Sequence, residues 1–141
     1  MSIVAGLKLD SATAGTAVNK EEAMARLKVR HIGDVAVITP HGYLMGGEET
    51  EELQRVIEEQ LKAGNRKLLI DLIETVHLNS NALGAVTQAH SRYQAAGGQV
   101  RLCHLTDRIE NALVITRLSL VLEVDENERE SIANFQAAPT L

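Results

Sequence analysis

Residues 68–84 read Leu-Leu-Ile-Asp-Leu-Ile-Glu-Thr-Val-His-Leu-Asn-Ser-Asn-Ala-Leu-Gly, and this stretch decides the fold. Leu68, Leu69 and Ile70 are apolar at every position, which fits a central strand buried on both faces. Asp71 ends the run, a short polar turn follows, and Asn79, Ser80 and Asn81 open an amphipathic helix expected over residues 82–95. All three are favoured N-cap residues, and one of them must cap that helix. Small polar side chains and free backbone N–H groups thereby meet at an exposed helix start. Such a place suits a phosphate, a carboxylate or an acidic group of a partner protein.

On the N-terminal side, residues 27–32 alternate apolar and polar, the pattern of a half-buried strand. Gly33-Asp34 turns the chain into a second strand at 35–39, so the pair reads as a hairpin. Pro40 and Gly42 interrupt it before Tyr43-Leu44. After Gly46-Gly47, the positions of Leu53, Val56, Ile57 and Leu61 follow one face of a helix. Glu48, Glu49, Glu51 and Glu52 crowd its first turns, where the helix dipole favours anions, and Gly64-Asn65 ends it. On the C-terminal side, Leu83, Val86, His90 and Tyr93 form the stripe of the second helix, which stops at Gly97-Gly98. A strand at 99–105, a helix from 107 to about 116 with Ile109, Ala112 and Leu113 inward, a strand at 120–124 and a helix at 127–135 complete the pattern. Alternating strands and helices make the class α/β.

Composition removes several functions. Aromatic residues are 2% of the chain and Trp is missing, which argues against base-stacking platforms and aromatic-lined ligand clefts. A net charge of −5 disfavours nucleic acid, whose phosphates need a basic face. No apolar run approaches a membrane span and the first residues carry no basic leader, so no direct membrane insertion is expected and the chain reads as cytoplasmic. Residues 10–18 are mostly Ala, Thr, Ser and Gly, and 20–25 suit a helical turn. The expected organisation is therefore a flexible N-terminal extension over 1–25, one domain over 26–136 and a tail over 137–141.

Enzymatic chemistry finds no support. Neither Gly-Gly pair sits in a phosphate-binding pattern. His31, His41, His77, His90 and His104 show no metal-ligand spacing, and Cys103 and His104, adjacent on a strand, are expected on opposite faces. Cys103 reads as a small core residue. A serine nucleophile at Ser80 would need a base and an oxyanion hole, and nothing around it resembles a nucleophile elbow. No catalytic residue, cofactor or metal is expected. A small-ligand sensor using His41, His77 and the 79–81 cluster is the weakest reading.

The chain resembles the STAS domain, the module of bacterial anti-sigma factor antagonists. Those proteins read as a strand ending Asp-Leu-Ser and then Asp-Ser-Ser-Gly-Leu-Gly opening a helix. This chain has Asp71-Leu72-Ile73 and then Asn79-Ser80-Asn81-Ala82-Leu83-Gly84. Gly33 to Ile38 is similar to the family's opening hairpin and Gly42-Tyr43-Leu44 to its Gly-Arg-Leu. Ala95 to Leu102 is similar to its helix end and next strand. Leu113, Thr116, Leu118 and Val121 track its Leu-x-x-Thr-x-Leu-x-x-Val. The resemblance implies a STAS-type fold, with a small mixed sheet of about four to five strands flanked by about four helices.

It also implies a protein-binding regulatory module in partner-switching control of transcription. An anti-sigma factor or kinase-like partner would dock on Asn79, Ser80, Asn81, Ala82, Leu83 and Gly84, with Tyr43, Leu44 and Met45 beside them. In the family that partner phosphorylates a hydroxyl residue at this helix start, and the added charge and bulk disfavour docking. The position of the usual phosphoacceptor falls on Asn81, which cannot take a phosphate, and Ser80 is the substitute acceptor. The family also supplies accessory subunits of membrane transporters, including lipid-transport complexes, and this alternative stays open, as does a dimer.

Overall fold

The computed structural model describes residues 27–136; the expected extension and tail lie outside the described residues. Its strands are β1 (Lys28–Ile32), β2 (Val35–Thr39), β3 (Gly42–Leu44), β4 (Lys67–Asp71), β5 (Thr75–Leu78), β6 (Gln99–Cys103) and β7 (Glu123–Asp125). Its helices are α1 (Glu48–Lys62), α2 (Ser80–Ala95), α3 (Asp107–Ile115) and α4 (Glu128–Gln136). The main sheet has the order β1-β2-β4-β6-β7. The β1–β2 hairpin is antiparallel and every other pair in that sheet is parallel, each joined through a helix.

Strand alternation sorts the core into two layers. Ala36, Ile38, Leu68, Ile70, Val100 and Leu102 face α1, α2 and α3, where they meet Leu53, Val86, Tyr93, Ile109 and Leu113. Val35, Val37, Leu69 and Cys103 face the other way and pack on Phe135 of α4. Leu68, Leu69 and Ile70 are all fully buried, as expected of a central strand.

Two expected elements differ. The polar turn after Asp71 is shorter than the pattern suggests, closing with the Thr75 amide donating to the Leu72 carbonyl at 3.0 Å. Thr75 to Leu78 is already strand β5, pairing in parallel with β3 in a separate two-stranded sheet. The strand expected at 120–124 is in part a 3-10 turn over Leu118–Leu120. Arg117 takes a left-handed conformation at φ 65° and ends the preceding helical segment, so regular pairing resumes only at Glu123.

Helix α4 is locked on by buried charge. Asp125 accepts hydrogen bonds from Arg101 Nε at 2.7 Å and Nη2 at 3.0 Å, from Ser131 Oγ at 2.7 Å and from Asn134 Nδ2 at 2.7 Å. The same guanidinium lies 5.9 Å from the centre of the Phe135 ring. Burial alone would raise the Asp125 carboxyl, but the bonds from Arg101, Ser131 and Asn134 outweigh it and hold it below its ordinary 3.8. A depressed carboxylate pKa contributes stability that is complete above the unfolded value and lost as pH falls through the folded one. Asp125→Asn should lower the urea midpoint at neutral pH and flatten its decline below pH 3.8 relative to the parent chain. A midpoint-against-pH series checks both slopes.

Two glycines should respond in opposite directions. A Cβ on Gly98 would stand 2.4 Å from the Arg66 carbonyl oxygen, whereas one on Gly84 in α2 meets nothing within 4 Å. Gly98→Ala should therefore cost about 1–3 kcal/mol through enforced backbone displacement. Gly84→Ala should add roughly 0.5–1 kcal/mol of helix stability, both read from chemical denaturation.

Candidate functional site

The start of α2 is built around Asn79. Its extended backbone sits at the N-cap, and its Oδ1 accepts from the Ala82 amide at 3.1 Å. Its Nδ2 donates to the Met45 carbonyl at 2.9 Å, and its own backbone N–H donates to the Leu44 carbonyl at 3.1 Å. One side chain thus caps the helix and holds the exit of β3 against it. A carboxylate could do the first task and not the second, because it has no proton to donate. The amide at this position therefore has a structural role of its own, which a comparison of charge alone does not reveal.

Gly46 completes the junction. At φ 90° it has a left-handed backbone, and a Cβ there would lie 2.8 Å from Asn81 Nδ2 and 3.0 Å from Asn81 Cβ. The Asn81 side chain consequently rests over the glycine backbone. The Gly46 amide donates to Thr50 Oγ1 at 2.9 Å, fastening the same loop to the first turn of α1.

These ties bring Tyr43, Met45, Ser80, Asn81 and Gly84 to one exposed surface. Tyr43 is 60% exposed and Met45 46%. Ser80 and Asn81 are exposed, and among the described residues the Ser80 hydroxyl makes no hydrogen bond, since Asn79 provides the cap. The expected contact set contracts elsewhere. Leu44, Ala82 and Leu83 are 1%, 0% and 5% exposed, so they form the floor under this surface and offer a partner no area.

An open groove continues from Ser80 past Leu83, Gly84 and Thr87 to Thr116 and Leu118. Beyond it Val114, Ile115, Leu120 and Val121 are exposed, an apolar patch that the sequence reading missed. Its signal was present: Val114 and Ile115 lie off the inward stripe of Ile109 and Leu113, so α3 is apolar on more than one side.

The histidines do not converge on this site. His41 Nδ1 lies 3.3 Å from Glu74 Oε1 at the surface, and His77 sits in β5 opposite Tyr43 with its Nδ1 buried and, among the described residues, without a hydrogen-bond partner. Cys103 and His104 correct a further expectation, for they do not point to opposite faces. Strand β6 ends at Cys103, and His104 turns to φ 59°, carrying its Nδ1 to 2.8 Å from Asp71 Oδ1 and 3.8 Å from Cys103 Sγ. Strand alternation fails once the backbone leaves the extended region. Burial, then the Asp71 carboxylate, push the Cys103 thiol up to about 12, so without an ion beside it the residue is a neutral thiol at neutral pH.

The junction makes a paired prediction. Asn79→Ala removes the cap and the loop tie and should cost about 1–2 kcal/mol in urea unfolding. Asn79→Asp keeps the cap acceptor and should cost less, while still losing the bond to Met45. Faster hydrogen exchange confined to the loop at Gly46 and Gly47 would mark that loss in the aspartate variant.

Comparison with known proteins agrees with this architecture. A solved structure from Thermotoga maritima, described as an anti-sigma factor antagonist, superposes with a TM-score of 0.74 at 19% identity, covering 80% of this chain and 97% of that one. An anti-sigma factor antagonist from Mycobacterium paratuberculosis gives 0.69 at 15% identity, covering 78% and 92%. The Bacillus cell fate determinant SpoIIAA in its phosphorylated form gives 0.62 at 15% identity, covering 77% and 97%. No curated protein matches the sequence. The family model of the STAS domain matches residues 26–131, which span both core layers and the Asn79 junction: the chain belongs to the STAS domain family.

Proposed function

We propose that this protein is a docking module of the anti-sigma factor antagonist kind, which meets an anti-sigma factor or kinase-like partner through the start of α2 and the exit of β3. The observation that carries this reading is the double use of Asn79. A side chain that both caps the helix and grips the Met45 carbonyl keeps Tyr43, Met45, Ser80 and Asn81 in one fixed surface. A surface ordered in advance loses less freedom on binding, which is what a docking site requires. Several similar solved structures are described as anti-sigma factor antagonists, among them SpoIIAA, which is also solved in a phosphorylated form.

On this reading the phosphate switch is silent at its usual position. Asn81 occupies that place and its amide cannot be phosphorylated. Its side chain lies over Gly46, so the loop is packed around an amide there. Ser80, exposed and without a hydrogen bond among the described residues, is the one hydroxyl at the helix start that could substitute. Glu48 and Glu49 are exposed at the start of the adjacent helix, and their charge disfavours a phosphate there.

Incubation with the cognate kinase and ATP should leave the intact mass of the chain unchanged. Stoichiometric addition of one phosphate, removed by Ser80→Ala, would transfer the switch to Ser80. Asn81→Glu should weaken partner binding at least tenfold, about 1.4 kcal/mol, while leaving the unfolding free energy in urea within about 0.5 kcal/mol of the parent. Gly84→Arg probes the same surface and replaces any bulky substitution at Ala82, which would fall in the core. Unchanged affinity in both variants by calorimetric titration would locate docking elsewhere. A transporter component as the captured partner would favour the accessory-subunit alternative.

A further inference from the structure

A second constellation stands apart from the docking surface, at the carboxyl ends of the two central strands. The parallel register sets Asp71 of β4 directly beside Cys103 of β6, so their side chains emerge on the same side of the sheet. The next residue, His104, would leave on the opposite side if the strand continued. Instead its left-handed backbone folds the imidazole back over Asp71. One carboxylate oxygen, one thiol sulfur and one imidazole nitrogen then lie within 4.8 Å of one another.

We propose that Asp71, Cys103 and His104 form a binding site for a zinc-class divalent cation. Sulfur, nitrogen and oxygen donors in one cluster are the set that a borderline-soft cation accepts, and hard cations such as magnesium do not favour thiolate. The spacing fits. A tetrahedral ion with bonds of about 2.3 Å to sulfur and about 2.0 Å to nitrogen and oxygen holds those donors roughly 3.3–3.6 Å apart. The present separations are 3.8 Å from Cys103 Sγ to His104 Nδ1 and 2.8 Å from Nδ1 to Asp71 Oδ1. Side-chain shifts of about half an ångström bring both pairs to the required distance.

The surroundings support the assignment. The Ile73 amide donates to Asp71 Oδ1 at 3.0 Å and orients that carboxylate from outside the cluster, as outer contacts do for metal ligands. Asp71 and Cys103 are buried, whereas the His104 side chain is 28% exposed, which gives an ion a path in and a water a fourth position. Arg30, a nearby cation that would repel an incoming ion, has its guanidinium held by both carboxylate oxygens of Glu128, at 2.7 and 3.3 Å, which offset that charge. On binding, the thiol proton passes to buffer and the sulfur bonds to the ion. The Nδ1 proton of His104 moves through solvent to Nε2, which frees the Nδ1 lone pair for the ion and ends the hydrogen bond to Asp71. The occupied site would clasp β4 and β6 at the root of the turn that leads into β5.

Cobalt(II) titration of the reduced full chain tests the assignment. The expected result is a near-ultraviolet sulfur-to-cobalt charge-transfer band with visible bands of tetrahedral cobalt, saturating at a single ion and displaced by zinc. Cys103→Ser should abolish the charge-transfer band, and His104→Gln should weaken binding about tenfold or more. His31→Gln, at an exposed histidine on β1, should leave the titration unchanged. Circular dichroism reports whether each variant is folded; should Cys103→Ser unfold, His104→Gln, at a partly exposed side chain, decides alone. No cobalt bands up to about 1 mM metal, or binding that survives both Cys103→Ser and His104→Gln, would overturn the proposal.

Discussion

The constraint on which the rest depends is that β4 is covered on both faces and paired on both edges. Leu68 and Ile70 need one apolar layer and Leu69 needs another, while β2 and β6 satisfy the backbone on either side. A strand in that position cannot slip by one residue without sending Asp71 or Lys67 into the core. Its register therefore fixes where it ends, and its end fixes where Asp71, the β4–β5 turn and the start of α2 must lie. The candidate docking surface and the Asp71 cluster both inherit their positions from this one strand.

Around that frame the molecule uses amides where charge would be expected. Asn79 joins helix and loop because an amide can donate and accept at once. Asn65 does the same at the opposite end of the sheet, accepting from the Tyr93 hydroxyl at 2.8 Å and donating to the Asp34 carbonyl at 3.2 Å. Those two bonds tie α2 to the β1–β2 turn, and burial raises the Tyr93 hydroxyl far above its ordinary range, so the tie holds at any ordinary pH. Helix α2 is thus secured at both ends by uncharged side chains.

Much of this was legible in the chain because apolar periodicity is a local record of burial. The runs at 68–70 and 35–38 and the stripe of Leu83, Val86, His90 and Tyr93 each state which face is inward. Three features were not legible, for one shared reason: each depends on backbone geometry that side-chain pattern does not encode. β5 is a strand through its pairing with β3 and not through strong alternation. The 3-10 turn follows from the left-handed Arg117, and the meeting of Cys103 with His104 from the left-handed His104. The candidate surface was located by the Asn79–Gly84 segment, but which of its residues face outward became readable only with the tertiary structure, which submerges Leu44, Ala82 and Leu83.

The unequal covering of the sheet has a consequence for synthesis. Helices α1, α2 and α3 all lie on one face, and each is made between the strands it connects, so that layer can close as the chain lengthens. Among the described residues α4 alone covers Val35, Val37, Leu69 and Cys103, and it is the last element made. Arg30 in the first strand finds Glu128, 98 positions further along, only when all the chain between them has been made. A ribosome-bound intermediate ending after β7 would hold a nearly finished sheet with one greasy side open to solvent or a chaperone. Release from that state would come with the arrival of Phe135, making the final helix the latch of biosynthetic folding.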